Sequence, residues 1–525
     1  MDIAAPTGKA DKQPVRTVAF MMAIMSIGKV MGILRDSMQA SYLGAHTAEG
    51  IAFAQASLLP RALLDIMLAA VLAASLIPVF NTYLESKGKK AALDLASLFV
   101  SVIFLLTLLV TVVSIFLAEP VYTRFLDDIA LSDATRHLGI RLLRIMLPMI
   151  ILGGLAFSFT AILQSMGEFR IPAAMSVIHN GIILLYYFLL FDRFGVYGLA
   201  VVFLLGWVTQ GLIQVPFLIK HGFRFRFNLL EAFRSEGLRQ MGVLALPVIA
   251  ASWTGPINLM INVRVAAGLY GGEFGVPAIT FAHSLFIVIS GVFVLSIAQV
   301  IFPKMCRLAA AADKEGMSAT LQETVRVLFF LLLPLTLGLM ALSQPLVQFI
   351  FGRGEFGERA VEITAHALFY YAPGILGFGL QVVLSRTCFA LRDGRTPLIA
   401  AVVAIAANAI LSYVLAPHLE VAGPALGATI GASLGSVVML VVLTRRGLLI
   451  WPKTLVVDLC KMAIIAMLMF GAIYISSGWF VNRPVLLQLL IPTALGIGVY
   501  LCFSALLKIK EMTWALQAIR NTFGF

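Results

Sequence analysis

Residues Leu95 to Ala118 read LASLFVSVIFLLTLLVTVVSIFLA, a run without one charged side chain. At about 1.5 Å per residue, a helix of that length outreaches the roughly 30 Å hydrocarbon core of a bilayer. The pattern recurs. Of the 525 residues, 60% are apolar and 12% charged, and apolar runs of about 20 residues follow one another from near residue 17 to residue 507. Roughly fourteen candidate spans result, near 17–42, 51–80, 95–118, 139–165, 172–191, 196–219, 241–263, 277–302, 326–350, 362–391, 397–416, 422–444, 456–477 and 485–507. Only helices and closed barrels cross bilayers, and runs this long and apolar are helices. The expected fold class is therefore an all-α polytopic membrane protein of about 14 transmembrane helices, with little chain left for a soluble domain.

The net charge of +12 has a topological reading. With a cytoplasmic N-terminus, Lys9, Lys12, Arg16, Lys87, Lys89, Lys90, Lys220, Arg224, Arg226, Arg234, Arg239, Lys304, Arg307, Lys314, Arg445, Arg446, Lys453, Lys508 and Lys510 all fall on the cytoplasmic side. The opposite loops hold chiefly Arg124, Arg193, Arg353, Arg359 and Arg483. That asymmetry puts both termini in the cytoplasm and removes the need for a nucleic-acid partner. A polar start and a first span without a small-residue cleavage site predict no removable signal peptide. Cys306, Cys388, Cys460 and Cys502 stand apart, with no spacing for a disulfide framework or a zinc site, and read as packing residues.

The chain repeats itself at a separation of 225 residues. Pro78 pairs with Pro303, Pro120 with Pro345, Pro148 with Pro373, Gly154 with Gly379, Pro172 with Pro397, Gly198 with Gly423 and Gly222 with Gly447. Lys220 falls on Arg445, His221 on Arg446 and Glu168 on Asp393. Each copy holds six spans, and an even number gives both copies the same orientation. The expected arrangement is two parallel six-helix lobes about an axis along the membrane normal, with the substrate path at their interface. The layout is then an N-terminal tail over 1–16, one lobe over 17–222, an interfacial linker over 223–240, a second lobe over 241–447, and 448–525 with spans 13 and 14 and the C-terminal tail. The linker sets Phe223, Phe225, Phe227, Leu229, Leu230 and Phe233 among basic residues, an amphipathic pattern suited to a membrane surface. Pro148, Pro247, Pro334 and Pro373 lie inside or at the ends of spans, where kinks are expected.

An ionisable side chain at the bilayer centre costs about 2.5–3.5 kcal/mol on insertion scales, so each wants a partner or a function. Span 1 carries Lys29, Arg35 and Asp36; span 2 carries Arg61 and Asp65. Lys29 and Asp36 share a helix face but lie roughly 10 Å apart along the axis, whereas Arg61 and Asp65 have the spacing of a pair within one helix. The plain alternative is self-neutralised pairs, or end residues that snorkel to the headgroups. The repeat supplies a control: the second copy has Thr254 for Lys29, Met260 for Arg35, Ile261 for Asp36, Phe286 for Arg61 and Ser290 for Asp65. Packing of the fold does not demand the charges. An arginine facing a cavity can chelate phosphate oxygens with two N–H groups while a lysine acts as a point charge, so the implied substrate carries a phosphate or diphosphate. Arg264 is a weaker candidate that also suits an interfacial anchor. His179 and His283 read more readily as interior histidines than as ligands. Glu362, His366 and Arg386 flank loops and suit snorkelling or pairing. The chain holds no phosphate-loop, HExxH or catalytic-serine pattern, so neither an enzyme, a cofactor nor a metal is expected.

Several short stretches, in this order, resemble the MurJ (MviN) family of lipid II flippases. That family belongs to a superfamily that also exports drugs, oligosaccharide-lipids and polysaccharides. They are Gly32-Ile33-Leu34-Arg35-Asp36, Leu76-Ile77-Pro78-Val79-Phe80, Ala161-Ile162-Leu163-Gln164-Ser165 with Phe169-Arg170-Ile171-Pro172, Ile301-Phe302-Pro303, Phe351-Gly352-Arg353-Gly354-Glu355-Phe356, and Arg392-Asp393-Gly394-Arg395-Thr396-Pro397. The resemblance implies fourteen helices in two lobes that alternate between inward- and outward-open states in the bacterial inner membrane. A central cavity lined by spans 1, 2, 7 and 8 would bind the diphosphate of an undecaprenyl-linked peptidoglycan precursor, and spans 13 and 14 would hold its lipid tail. Arg35 and Asp36 match the family's Arg-Asp motif in span 1. Lys29 stands where the family usually has arginine, and Pro60-Arg61-Ala62-Leu63-Leu64-Asp65 stands where it typically reads Pro-Asn-Leu-Leu-Arg-Arg. Ser284, beside His283, stands where it often has a third arginine.

The function expected is a flippase for a polyprenyl-diphosphate-linked cell-wall precursor, lipid II first, working by alternating access. The residues expected at its site are Arg35, Lys29, Asp36, Arg61, Asp65, Arg264 and His283. Expected partners are that glycolipid, the membrane lipids and other cell-wall synthesis proteins. Two alternatives stay open: a flippase for another undecaprenyl-linked oligosaccharide, and an antiporter of drugs or metabolites in which Asp36 and Asp65 would meet organic cations.

Overall fold

The computed structural model describes residues 12–64, 69–126, 132–252, 254–270, 273–391, 393–480 and 483–512. Among them every regular element is a helix. In chain order these are α1 (Lys12–Leu43), α2 (Ala48–Ala62), α3 (Ala69–Phe116), α4 (Ala118–Val121), α5 (Asp133–Met146), α6 (Met149–Ser165), α7 (Arg170–Leu189), α8 (Phe191–Lys220), α9 (Leu229–Arg234) and α10 (Glu236–Ser252). There follow α11 (Thr254–Ala267), α12 (Gly275–Ala310), α13 (Lys314–Ala341), α14 (Ser343–Phe351), α15 (Glu358–Tyr371), α16 (Gly374–Ala390), α17 (Arg395–Leu419), α18 (Ala422–Arg445), α19 (Lys453–Trp479) and α20 (Val485–Leu506). Nine helical stretches among the described residues are long and apolar enough to cross a membrane. A tenth is the pair α15 and α16, bent by 45°. Other expected spans fall on divided helices, 51–80 on α2 and the first part of α3, and 241–263 on α10 and α11.

Proline and glycine set the breaks. Pro148 and Pro373 stand immediately before α6 and α16, where a missing N–H costs nothing, while Pro334 lies inside α13. Gly88 divides α3 with φ of 83°, a conformation that a Cβ would penalise. Positive φ recurs at the repeat distance: Gly195 and Glu420 at 54° and 50°, Gly222 and Gly447 at 88° and 69°. Helix starts agree as well. Asp393 Oδ1 accepts the N–H groups of Arg395 and Thr396 at the start of α17, and its Oδ2 accepts from the Thr396 hydroxyl and, at 2.7 Å, from Arg446. In the first half Glu168 accepts the N–H of Arg170 at the start of α7.

The chain forms two compact units: one of residues up to Met38 with Ala56–Glu119 and Ile140–Ile249, the other of Gln39–Gln55, Pro120–Gly139 and Ala250 onward. In the first, α6 packs between α3 and α8, and α7 lies along α8. Gly206 of α8 leaves room for the His179 ring, whose Nδ1 would stand 2.5 Å from any Cβ there. In the second, α17 and α18 pack along Gly423, Gly427, Gly431 and Gly435, a four-residue spacing that puts small residues on one face. A Cβ on Gly431 would lie 2.6 Å from Ala404 O. Helices α19 and α20 bury Met462, Ile465, Met469, Ile473 and Tyr500 against α13. The Tyr500 hydroxyl donates to Phe330 O at 2.8 Å, and Arg326 lies 3.4 Å from Asp458. One expectation is corrected: Cys388 is a buried packing residue, but Cys460 and Cys502 are exposed on helices whose outer faces are apolar.

Candidate functional site

The first unit gathers its cations where α1, α2, α7 and α8 meet. Arg35, on α1, donates from Nε and Nη2 to one oxygen of Asp36, at 3.0 and 2.7 Å. Its Nη1 donates to Asn180 Oδ1 on α7 at 3.0 Å. Asn180 in turn donates to Gly28 O at 3.1 Å and to Ser176 Oγ at 3.3 Å, so one buried amide ties α1 to α7 and aims the guanidinium. Glycine makes this possible: a Cβ on Gly28 would already stand 3.0 Å from Ser176. Asp36 is buried and Arg35 half-buried, the setting in which an ion pair holds only with further hydrogen bonds.

Arg61 approaches from α2. Its guanidinium lies 4.7 Å from the centroid of the Phe203 ring on α8, and that of Arg35 lies 5.9 Å from the same ring. Two cations far apart in sequence therefore share one aromatic ring, an attraction worth about 0.5–2 kcal/mol for each. His179 belongs to the same wall, edge-on to Phe203 at 5.8 Å and near Trp207 at 5.3 Å. It is an interior ring of an aromatic cluster, as its sequence context suggests. Lys29, six residues before Arg35, is half-buried and among the described residues makes no hydrogen bond or ion pair. The proposed partner of Arg61, Asp65, lies outside the described residues.

The second unit holds the remaining two candidates. Arg264 sits half-buried in the last turn of α11. His283 of α12 packs its ring against Phe286 at 6.1 Å and Tyr371 at 5.9 Å. Beside them runs a ladder that the sequence reading missed. Asn262 donates to the Tyr371 hydroxyl at 2.9 Å and accepts from Ser412 at 3.2 Å. Asn408 donates to Asn258 Oδ1 at 3.1 Å. Helices α11 and α17 stand 225 residues beyond the region of α1 and α7, and neutral amides bind them where Arg35, Asp36 and Asn180 bind the first pair. Among the described residues no group of His, Cys, Asp and Glu is arranged to hold a metal ion.

Within the second unit, the far ends of α1 and α2 are fastened to the segments 273–275 and 352–357. Glu355 N–H donates to Ser41 O at 2.8 Å and Phe274 N–H to Ala45 O at 3.2 Å, while the His46 and Phe274 rings stack at 5.6 Å. Gly354, with φ of 58°, brings its backbone so near that a Cβ would sit 2.4 Å from Ser41 O. This is the contact that the Phe351–Phe356 motif serves.

Comparison with known proteins follows the same outline. The family model described as "Lipid II flippase MurJ" matches residues 39–495. The chain is 26% identical over 471 residues to the "Probable lipid II flippase MurJ" of Vibrio cholerae, covering 88% of this chain and 89% of that one. It is 25% identical over 426 residues to the lipid II flippase MurJ of Burkholderia cenocepacia, covering 80% and 82%. Among solved structures, a lipid II flippase MurJ in an inward closed conformation superposes with a TM-score of 0.78 at 22% identity, covering 93% of this chain and 98% of the other. An inward-facing multidrug MATE transporter gives 0.70 at 17%, covering 81% and 98%.

Proposed function

Since this chain belongs to the lipid II flippase MurJ family, we propose that it carries lipid II, a polyprenyl-diphosphate-linked peptidoglycan precursor, from the inner to the outer leaflet and holds the diphosphate with Arg35, Arg61 and Lys29. It is a multi-pass membrane transporter and not an enzyme. The observation that carries the reading of the site is the convergence of Arg35 and Arg61 on the Phe203 ring, with Lys29 half-buried on the same helix as Arg35. Guanidinium N–H groups match phosphate oxygens in pairs, and a partly desolvated setting strengthens them. Asp36 serves as the resting partner of Arg35 and exchanges for substrate oxygens on loading. Asp65, Arg264 and His283 are carried into the proposal from the sequence alone.

The full topology is fourteen spans in two parallel six-helix repeats plus two, with both termini cytoplasmic. The paired backbone turns at Gly195 and Glu420 and at Gly222 and Gly447 support it. Alternating access then requires the end held by Ser41, Ala45, Phe274 and Glu355 to part, which breaks two backbone hydrogen bonds and a ring stack. A substrate that binds the opened state better shifts the equilibrium toward it.

The test is complementation of a bacterium depleted of its lipid II flippase, scoring lipid II exposed on the outer leaflet. The wild-type chain is expected to restore exposure and Arg35→Ala to lose it at equal membrane abundance. A well-expressed wild type that fails would move the cargo to another undecaprenyl-linked oligosaccharide. An Arg35→Ala chain that still works would remove the charge clamp.

A further inference from the structure

An apolar recess lies in the first unit, lined by none of the residues of the cation cluster. It has a volume of about 720 Å³ and opens between Val100 and Phe104 of α3, Leu155 and Phe159 of α6, and the end of α8 at Ile219. The segment 222–227 closes one end. That segment is fixed: Gly222 turns with φ of 88°, Phe223 N–H donates to Leu218 O at 2.9 Å, and Ser97 Oγ accepts the Arg226 N–H at 2.7 Å. Phe227 sets its ring edge-on to Phe104 at 6.3 Å. Arg224 is the one charged residue lining the recess. Between residues 220 and 239 stand Lys220, Arg224, Arg226, Arg234 and Arg239 against Glu231 and Glu236, and Glu231 is already bonded to Asn228.

The chain contains its own control. At positions 225 residues further on, Val325, Leu380, Leu384 and Leu443 are buried, and α19 covers the adjoining face of α13. There Arg224 is replaced by Leu449, which is 1% exposed. So where protein covers this face, the mouth is apolar; where, among the described residues, no such helix lies over α3, whose Leu105, Leu106 and Leu109 are exposed, the mouth is basic. A greasy slot with cations at its rim and lipid beside it matches a molecule with an acyl chain and a phosphate.

We propose that this recess seats one acyl chain of an anionic glycerophospholipid from the cytoplasmic leaflet, whose phosphate is held by Arg224 and Arg226. The assignment of the leaflet rests on the topology given under the proposed function; the recess itself does not involve the cargo cations. Occupancy would brace the segment that joins the two halves of the chain.

The test uses the full chain reconstituted in vesicles of phosphatidylethanolamine and phosphatidylglycerol in roughly a three-to-one mixture, whose anionic lipid attracts basic residues near the surface. The chain is then extracted gently and weighed with its retained lipids by native mass spectrometry. The wild type is expected to keep phosphatidylglycerol in preference to phosphatidylethanolamine. Arg224→Glu is expected to lower that retention about fivefold or more, the order of effect of one arginine near a membrane surface. Leu155→Trp, which fills the slot, should lower it too, and Arg224→Glu carries the test should the tryptophan chain misfold. Arg35→Ala should leave it unchanged. Retention that ignores both groove variants, or that favours phosphatidylethanolamine, overturns the proposal. Loss on Arg35→Ala would place the lipid in the cargo site and overturn it as well. Failure of the cargo reading shows instead in complementation, which this experiment does not score.

Discussion

Asn180 is the residue by which the cation cluster can be tested without touching a charge. Replacing it by leucine keeps the volume roughly constant and deletes the bond from Arg35 Nη1 at 3.0 Å together with the two bonds to Gly28 and Ser176. A hydrogen bond to a charged group is worth about 1.5–3 kcal/mol in proteins generally. Bonds between membrane helices average only about 0.6, with a ceiling near 1.7. The Arg35 bond should therefore contribute about 1–2 kcal/mol, a factor of roughly 5 to 30 in affinity for a diphosphate lipid. The assay is a four-member cycle of wild type, Asn180→Leu, Arg35→Ala and the double variant, titrated with lipid II and read by native mass spectrometry. Asn180→Leu should weaken binding in the wild-type background and do almost nothing once Arg35 is gone. Loss of the bonds to Gly28 and Ser176 should lower the melting temperature in either background, so stability and binding separate. Effects on binding that add to within about 0.5 kcal/mol would mean that Asn180 only packs, and would refute its role in aiming Arg35.

Three further outcomes follow from the geometry. Gly354→Val must push the loop off Ser41, so a cysteine at position 41 should react faster with a membrane-impermeant maleimide; unchanged labelling would dissociate this contact from closure. Gly431→Ala places a methyl 2.6 Å from Ala404 O and should cost about 1–3 kcal/mol, seen as a lower melting temperature in detergent, whereas Gly211→Ala, which meets nothing within 4 Å, should be silent. Burial alone would raise the Asp393 carboxyl, but hydrogen bonds from Thr396, Arg446 and Arg395 outweigh it and hold the group at about 2, below its ordinary 3.8. A depressed folded-state value means that its contribution is complete above about pH 4 and disappears as pH falls through about 2. The melting-temperature gap between wild type and Asp393→Asn should accordingly narrow across that window, and a gap that persists at its acid end would contradict the assignment.

The bilayer makes much of this fold legible, because long apolar runs have only one way to satisfy their backbone. Spans such as 95–118 and 422–444 coincide with α3 beyond Gly88 and with α18. The sequence is less explicit where a span is built from two helices, as at α10 and α11 or α15 and α16, since hydropathy does not register a 45° bend. Arg35 and Asp36 announced themselves by the cost of burying charge. Asn180, Asn262 and Asn408 incur the same kind of cost on a smaller scale and sit in plain view within apolar runs; a search for amides as well as charges would have found them. Phe203 gave no such signal, because one phenylalanine among 37 acquires a role only when two guanidiniums arrive over its ring. The reverse holds for Gly354, whose motif was evident although the backbone contact it permits was not.

The span-2 departure from the family pattern can now be weighed in space rather than in sequence. Reading Pro60-Arg61 for Pro-Asn moves a basic residue by about one helical turn, some 5.4 Å along the axis. A shift of that size would separate a cation from a fixed partner. Here the partner is a ring rather than a point: Arg61 stands 4.7 Å from the Phe203 centroid, closer than Arg35 at 5.9 Å. The attraction to a ring face tolerates displacement across it in a way that a bidentate bond does not. The displaced arginine thus remains over the same ring as Arg35, although its sequence register has changed. Lys29 for arginine alters it in another respect, replacing a fork that fixes phosphate orientation with a mobile point charge. On the proposed reading, orientation of the diphosphate falls to Arg35, which bonds to Asp36 and Asn180. By this reasoning Lys29→Arg should be well tolerated and Arg35→Lys should not, an asymmetry that complementation at equal expression would reveal. Equal tolerance of both exchanges would mean that the cluster acts through its net charge alone.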